Sequence, residues 1–124
     1  MIEGLNHATV LAEDLERTLA FYGELLELHP GPRPELGVAG AWLYAGGRPV
    51  LHIVAGRALP PGRAGVIDHV AFTARGLAAL KARLEAAAVP FTLRRQSEDG
   101  PWQLFCHDPN GARIELDFDA AETA

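Results

Sequence analysis

Four side chains able to bind a metal ion recur at two nearly equal spacings in the sequence. His7 lies in the run LNHATV, and His69 follows 62 positions later in IDHVAF. His52, in VLHIV, and Glu115, in RIELDF, are 63 positions apart. Imidazole nitrogens and a carboxylate oxygen suit a borderline divalent metal, and two histidines with one carboxylate leave coordination positions open for a substrate or oxygen. These four residues are therefore the candidate metal ligands.

The spacing follows from a repeated order of predicted elements: strand, helix, strand, strand, strand. Module 1 covers about 4–56, a linker rich in Pro, Gly and Arg covers about 57–65, and module 2 covers about 66–118. Together they are expected to form a single domain over 1–124. The elements predicted for module 1 are a strand at 5–12, a helix over 13–27, a loop or irregular edge strand, and strands near 38–45 and 49–55. Those predicted for module 2 are a strand at 66–74, a helix at 76–88, and strands near 91–95, 102–107 and 112–118.

Local signals support the ends of these elements. Asp14 is placed to cap the first helix, because a short carboxylate can accept a hydrogen bond from the free N–H groups of the first turn. The pair Gly46–Gly47 predicts a hairpin, since glycine tolerates the positive φ of tight turns. The run DPNG at 108–111 predicts a second hairpin for the same kind of reason.

Strand side chains alternate between two faces, which predicts the direction of the candidate ligands. In the first strand His7 shares a face with Thr9, and in the last strand Glu115 shares one with Arg113 and Asp117. The apolar residues between them must meet the helices, so the polar set is expected to face a concavity or water. If the sheets curve, the four candidate ligands converge on the concave face.

Composition excludes several classes of function. The net charge of −5 includes no stripe of Lys and Arg that would meet phosphates, which argues against a nucleic-acid partner. The single cysteine, Cys106, excludes an internal disulfide and is expected to be a small buried apolar residue. No basic segment followed by an apolar one begins the chain, and no apolar run approaches the roughly 18 residues of a membrane span. We expect a soluble cytoplasmic protein with no membrane partner.

Four segments of the sequence resemble the vicinal oxygen chelate superfamily. They are GLNHATVLAEDLERTLAFYGELLEL, PVLHIV, IDHVAF and DPNGARIEL, and the resemblance spans about 4–118. Members of this superfamily include glyoxalase I, bleomycin resistance proteins, fosfomycin resistance metalloenzymes, methylmalonyl-CoA epimerase and extradiol dioxygenases. The resemblance implies an α+β fold in which two βαβββ modules form a cupped mixed sheet around one divalent metal (Fe, Mn, Ni, Co or Zn). It also implies a homodimer, with each cup built within one chain or from modules of two chains.

The resemblance assigns roles to individual residues. His7 matches the first-strand ligand, His69 the fifth-strand ligand and Glu115 the terminal carboxylate, while His52 stands where glyoxalase I has a glutamate. His52 is expected to be a fourth ligand, a residue behind the ligands or in proton transfer, or part of the pocket wall, and with Glu115 it is a candidate catalytic residue. The opening GLNHATV resembles the fosfomycin group most closely.

Further side chains are expected to bind a small-molecule substrate. These candidates are Thr9, Trp42, Tyr44, Gln103, Phe105 and Arg113. Arg113 shares a face with Glu115, so it either pairs with that carboxylate or holds an anionic substrate. His29 and His107 have no equivalent partner in the repeat and are interpreted as surface residues.

The sequence thus predicts a metalloenzyme that binds two adjacent oxygens of a small substrate and stabilises an oxyanion. Lyase, isomerase, thiol transferase and dioxygenase chemistry all fit this description, and the fold does not choose among them. The alternative is a metal-free drug-binding protein of the bleomycin resistance type. A third possibility is an inactive relative that keeps the cup only as a scaffold.

Overall fold

The fold, described by a computed structural model, consists of two compact units with the same order of elements. The structure describes residues 1, 3–62, 65, 67–95 and 97–124. Unit 1 covers residues 1–63 and unit 2 covers 64–124. In each, one strand is followed by a helix and three more strands, so the predicted pair of βαβββ modules and the α+β class are confirmed. That the modules act as one domain stays a prediction.

Unit 1 contains a four-stranded mixed sheet. Its elements are β1 (Ala8–Ala12), α1 (Leu15–Ala20), a π-helical segment (Phe21–Leu25), β2 (His29–Pro30), β3 (Gly40–Ala45) and β4 (Arg48–Ala55). The strand order is β1-β4-β3-β2, with β1 parallel to β4 and the other pairs antiparallel.

Unit 2 repeats this arrangement. Its elements are β5 (Val70–Thr73), α2 (Leu77–Ala86), β6 (Phe91–Arg95), β7 (Trp102–His107) and β8 (Arg113–Phe118). The order is β5-β8-β7-β6, with β5 parallel to β8 and the other pairs antiparallel. No helix in the described parts of either unit is long and apolar enough to cross a membrane.

The strand registers extend the repeat to single residues. In unit 1, His52 lies opposite Thr9 on one side and Trp42 on the other. In unit 2, Glu115 lies opposite Ala71 and Phe105. The two central residues are 63 positions apart, as the sequence spacing indicated, so His52 and Glu115 occupy equivalent places in their sheets.

Two predicted elements differ in the structure. The helix expected over 13–27 is α-helical only to Ala20 and continues as the π-helical segment, in which Phe21, Tyr22 and Gly23 are all buried. Three consecutive buried residues do not fit one face of a 3.6-residue helix, and the wider π turn accompanies them.

The first strand of each unit also begins later than predicted. Pairing with β4 begins at Ala8 and pairing with β8 begins at Val70. His7 and His69 therefore lie immediately before their strands and not within them. Neither histidine belongs to a described strand, so side-chain contacts are needed to orient these two rings. Val66, part of the predicted fifth strand, lies outside the described residues.

The apolar face of each sheet is buried. On β8, Ile114, Leu116 and Phe118 are buried, as the alternation predicted. On α2, Leu77, Leu80 and Leu84 are buried as well. Burying an aliphatic or aromatic side chain of this size contributes about 1.5–3 kcal/mol, so these faces determine which way the polar residues between them point.

The predicted caps and hairpins are present. Asp14 Oδ1 accepts a hydrogen bond from the Arg17 amide at 3.1 Å, and Gly46 and Gly47 have φ of 58° and 76°. In the 108–111 turn, Asp108 Oδ1 accepts from the amides of Asn110 and Ala112 at 2.8 and 2.9 Å.

Helix α2 begins differently. Gly76 precedes it in the left-handed region with no local side-chain cap. The Glu122 carboxylate, from the end of the chain, accepts from the amides of Gly76 and Leu77. This contact fastens the C-terminal segment to the start of the helix.

Candidate metal site

In unit 2, two of the predicted ligands meet directly. His69 Nε2 lies 2.7 Å from Glu115 Oε2. The other carboxylate oxygen, Oε1, accepts from Gln103 Nε2 at 2.5 Å. Glu115 is only 4% exposed, so it is more enclosed than its place on a polar strand face predicted. Gln103 thereby leaves Oε2 directed at the imidazole.

A second carboxylate holds the opposite side of the same imidazole. Asp68 Oδ2 lies 2.7 Å from His69 Nδ1 and accepts from Arg113 Nη1 at 2.7 Å. An ionised carboxylate can only accept, so Nδ1 carries a hydrogen on the Asp68 side. Glu115 Oε2 lies at the same distance from Nε2, so a hydrogen lies between those two atoms as well. The hydrogen bond from His69, and then that from Arg113, lower the pKa of Asp68. Arg113 thus pairs with Asp68, not with Glu115.

In unit 1, the two predicted ligands stack face to face. The ring centroids of His7 and His52 are 3.7 Å apart with planes 12° from parallel. Trp42 covers the other face of His52 at 4.2 Å, again at 12°. Burial, followed by the nearby His7, lowers the pKa of His52, which favours a neutral imidazole. Its Nε2 is buried and has no hydrogen-bond partner among the described residues.

The residue before each paired histidine has the same contact in both units. Asn6 Oδ1 lies 2.7 Å from His7 Nδ1, just as Asp68 Oδ2 lies 2.7 Å from His69 Nδ1. The two contacts recur 62 positions apart. An acceptor at Nδ1 orients the ring so that Nε2 points the other way, the arrangement common behind metal-binding histidines. The side chains of Asn6 and Asp68 were missed as functional residues, although the polar residue before each histidine is visible in LNH and IDH.

The predicted substrate residues fall into separate groups. Trp42 belongs to the stack in unit 1, and Thr9 is exposed on β1 opposite His52. Tyr44 is not brought to the stack by any described contact, and its hydroxyl donates to the Pro32 carbonyl. Their roles in binding a substrate stay predictions.

The other predicted substrate residues surround the pair in unit 2. The Phe105 ring meets His69 edge to face at 5.9 Å between centroids. The guanidinium groups of Arg113 and Arg94 lie over Phe105 at 4.4 and 5.1 Å, and Arg94 Nε donates to Gln103 Oε1. Gln103, Arg94 and Arg113 are thus each held by a neighbour around Glu115.

One more carboxyl group, Asp117, lies on the same strand face, although the sequence did not single it out as a site residue. Burial, and then the hydrogen bond and charge of Glu115, raise the pKa of Asp117. Asp117 lies opposite Gln103 and Thr73 in the sheet. The sequence places Asp117 on the same strand face as Glu115. The effect of one carboxyl group on the pKa of the other depends on the burial of both, which the sequence does not show.

Residues interpreted as structural behave as expected. His29 and His107 are exposed, which confirms the surface interpretation. Cys106 is buried, and burial followed by the charge of Asp108 raises its pKa to about 11. The thiol is therefore protonated at neutral pH and is a core residue, as predicted.

The predicted ligands meet in pairs, and the pair in unit 2 has donor chemistry that fits a divalent ion. Among the described residues, no three His, Cys, Asp or Glu side chains are grouped so that they could hold a metal. Two pairs occur, one in each unit: His7 with His52, and His69 with Glu115. The enclosed, hydrogen-bonded carboxylate facing a ring nitrogen of fixed orientation is a donor pair suited to Mn²⁺, Fe²⁺ or Zn²⁺.

The sequence matches a protein-family model and is similar to two known proteins. A sequence model described as the Glyoxalase/Bleomycin resistance protein/Dioxygenase superfamily matches residues 4–116. The chain is 29% identical to Glyoxylase I 4 of Arabidopsis thaliana, over 93% of this chain and 70% of that protein. It is 32% identical to glutathione transferase FosA of Serratia marcescens, over 94% of this chain and 81% of that protein.

Solved structures share the fold. A protein from Bacillus anthracis assigned to the glyoxalase family has a TM-score of 0.78 at 26% identity, covering 96% of this chain and 97% of that one. The E126Q mutant of the fosfomycin resistance protein FosX from Listeria monocytogenes has a TM-score of 0.78 at 20% identity, covering 96% and 94%. That FosX crystal contains Mn(II) and 1S,2S-dihydroxypropylphosphonic acid.

Proposed function

We propose that this chain, which belongs to the Glyoxalase/Bleomycin resistance protein/Dioxygenase superfamily, is a divalent-metal-dependent enzyme acting on a small substrate with two adjacent oxygens. The observation that carries the proposal is the contact between His69 Nε2 and Glu115 Oε2 at 2.7 Å. Each of the two atoms can bind a divalent ion once the hydrogen between them is released, and each side chain is held from behind by a neighbour.

His7, His69 and Glu115 are the proposed ligands. In both histidines an acceptor occupies the Nδ1 side, so Nε2 is the nitrogen offered to the ion. That one ion takes donors from both units is part of the proposal, and it rests on the family resemblance and on the repeat. The Mn(II) present in the related FosX crystal supports a divalent ion of this kind. When bound, such an ion would polarise substrate oxygens and stabilise negative charge on them.

Other residues of unit 2 hold His69 and Glu115 in position. Gln103 holds Glu115 Oε1, which keeps the second oxygen in place. Asp68, itself held by Arg113, keeps the His69 ring in one orientation. Groups fixed before the substrate binds need no reorganisation during the reaction, and this favours catalysis.

The reaction is proposed at the level of this shared chemistry. The relatives named above include a glutathione transferase and a glyoxylase, and the superfamily description includes dioxygenases. Thiol transferase, isomerase, lyase and dioxygenase reactions therefore all fall within the proposal. We propose a homodimer, which the resemblance implies, and a cytoplasmic location, which the single cysteine and the composition predict. Sedimentation equilibrium of the purified protein tests the dimer directly.

Metal analysis of the purified protein tests the proposal. After refolding in Mn²⁺, Fe²⁺, Ni²⁺, Co²⁺ or Zn²⁺ we expect about one equivalent per chain. His69→Ala should abolish retention, whereas His107→Ala, which removes an exposed histidine, should not change it. Wild-type protein that folds but retains no metal would contradict the enzyme proposal and leave the metal-free binding protein as the better explanation.

A further inference from the structure

We infer that His52 is a positioning residue, a flat platform on which the His7 ring stacks, and that it does not itself bind the ion. The inference rests on the proposed function, because it assumes that His7 is a ligand. The sequence left several roles open for His52, and the geometry of unit 1 favours this one.

The stack restricts what the two rings can bind together. The lone pair of an imidazole nitrogen lies in the plane of its ring, and metal–nitrogen bonds are about 2.0–2.1 Å long. The rings of His7 and His52 are 3.7 Å apart and 12° from parallel. Their lone pairs therefore run side by side in separate planes and do not converge. An ion in line with one nitrogen lies outside the plane of the other.

Accessibility decides which of the two rings is free to bind. His7 is exposed, whereas His52 is covered by His7 on one face and by Trp42 on the other. Its Nε2 is buried, and its other nitrogen donates to the Pro49 carbonyl. His52 therefore presents ring faces to its neighbours and no accessible nitrogen.

The sheet holds the platform rigidly. His52 lies near the centre of β4, with Thr9 opposite on β1 and Trp42 opposite on β3. His7 lies just before β1 and outside its described bounds. Asn6 fixes the tautomer of His7 through Nδ1, and the face of His52 fixes the plane of the ring. Together these two contacts aim an otherwise mobile exposed ring.

Two substitutions separate a platform from a ligand. His52→Phe keeps a flat ring and removes both nitrogens, whereas His52→Ala removes the ring. We would measure Mn²⁺ affinity by electron paramagnetic resonance for both variants and for His69→Ala, with thermal melts to confirm folding. A platform predicts that the Phe variant stays within about threefold of wild type while the Ala variant loses about tenfold or more. Loss in the Phe variant as large as in His69→Ala would overturn the inference, as would an unchanged Ala variant.

A measurement without metal separates this inference from the proposed function. Stacked rings shift each other's ring-proton resonances upfield, so NMR of the metal-free protein reports the His7 contact directly. The His7 signals should keep their upfield shift in His52→Phe and move toward the value of an exposed histidine in His52→Ala. Signals that are the same in all three proteins would refute the platform even if Mn²⁺ binds. If wild type binds no Mn²⁺ yet the shifts behave as expected, the proposed function fails and the stacking contact stands.

Discussion

The two units have one topology and equivalent registers, but they use the equivalent positions differently. In unit 1 the pair is a stack, with His7 on His52, and in unit 2 it is a hydrogen-bonding contact, with His69 against Glu115. The residue before each histidine binds its Nδ1 in both. The duplicated backbone thus fixes where the groups lie, and the side chain on the last strand decides what the pair can do.

The units also start their helices differently. Asp14 caps α1 from the adjacent residue, whereas α2 is capped by Glu122 from the end of the chain. Trp102 Nε1 donates to the Glu122 carbonyl, and Arg95 donates to Ala120, which together hold that segment in place. One helix start is therefore a local property of the sequence, and the other depends on a distant contact.

The largest expected effect tests the chemical difference between the two pairs. Glu115→Gln keeps the shape of the side chain and removes its charge. If unit 2 supplies the anionic ligand, Mn²⁺ affinity falls by about a hundredfold or more, because a neutral amide is a poor ligand for this ion. Isothermal titration with Mn²⁺ measures the change. Wild-type affinity in this variant would mean that Glu115 is not a ligand.

A smaller effect compares the two residues behind the histidines. Asp68→Ala should lower Mn²⁺ affinity about tenfold, since it removes the acceptor that orients His69. Asn6→Ala should lower it less, because Asn6 is neutral and makes no described ion pair. Titration of both variants under one buffer condition gives the comparison. An Asn6 effect larger than that of Asp68 would contradict the expected order.

The helix caps differ in stability. Glu122→Ala removes a carboxylate that accepts from two amides at the start of α2, so it should lower the free energy of unfolding by about 1–2 kcal/mol. Asp14→Ala, which loses one cap bond, should cost about 1 kcal/mol or less. Urea denaturation measures both. Thr123→Ala is the matched control at the exposed neighbouring position. A loss of stability in Glu122→Ala no larger than in this control would argue that the Glu122 carboxylate does not stabilise the start of α2.

The smallest effect concerns a core position. Cys106 is 63 positions from Leu43, and both are buried at equivalent strand places. Because burial raises the pKa of Cys106 to about 11, almost no thiolate exists at pH 8. Alkylation by iodoacetamide should be slow in folded protein at pH 8, accelerate as the pH approaches 11, and be fast in urea. Rapid modification of the folded protein at pH 8 would show that the thiol is accessible.

Much of this arrangement was predictable from local signals. The strands at 91–95 and 102–107 have the predicted bounds, and the offsets of His7 to His69 and of His52 to Glu115 give the correct registers. The glycine pair and the Asp–Pro–Asn–Gly turn act within a few residues, so hydrophobic periodicity and turn residues suffice to predict these elements.

The unpredicted features depend on contacts between distant residues. Arg113 meets Asp68 from 45 positions away, and His7 stacks on His52 across the same separation. Gln103 encloses Glu115 because β7 pairs with β8. The alternation of residues in the sequence places Glu115 on one strand face but does not predict its burial. The change to a π-helical segment at Phe21 likewise follows from packing, not from the helical period.

Metal-induced chemical shifts test the central claim most directly. Zn²⁺ is added stepwise to the protein labelled at its five histidines, and the ring nitrogen resonances are followed by NMR. If one ion takes the proposed ligands His7, His69 and Glu115, the resonances of His7 and His69 shift together and reach completion at about one equivalent, while those of exposed His29 and His107 do not. A shift of His69 without His7, or equal shifts of all the histidines, would contradict it.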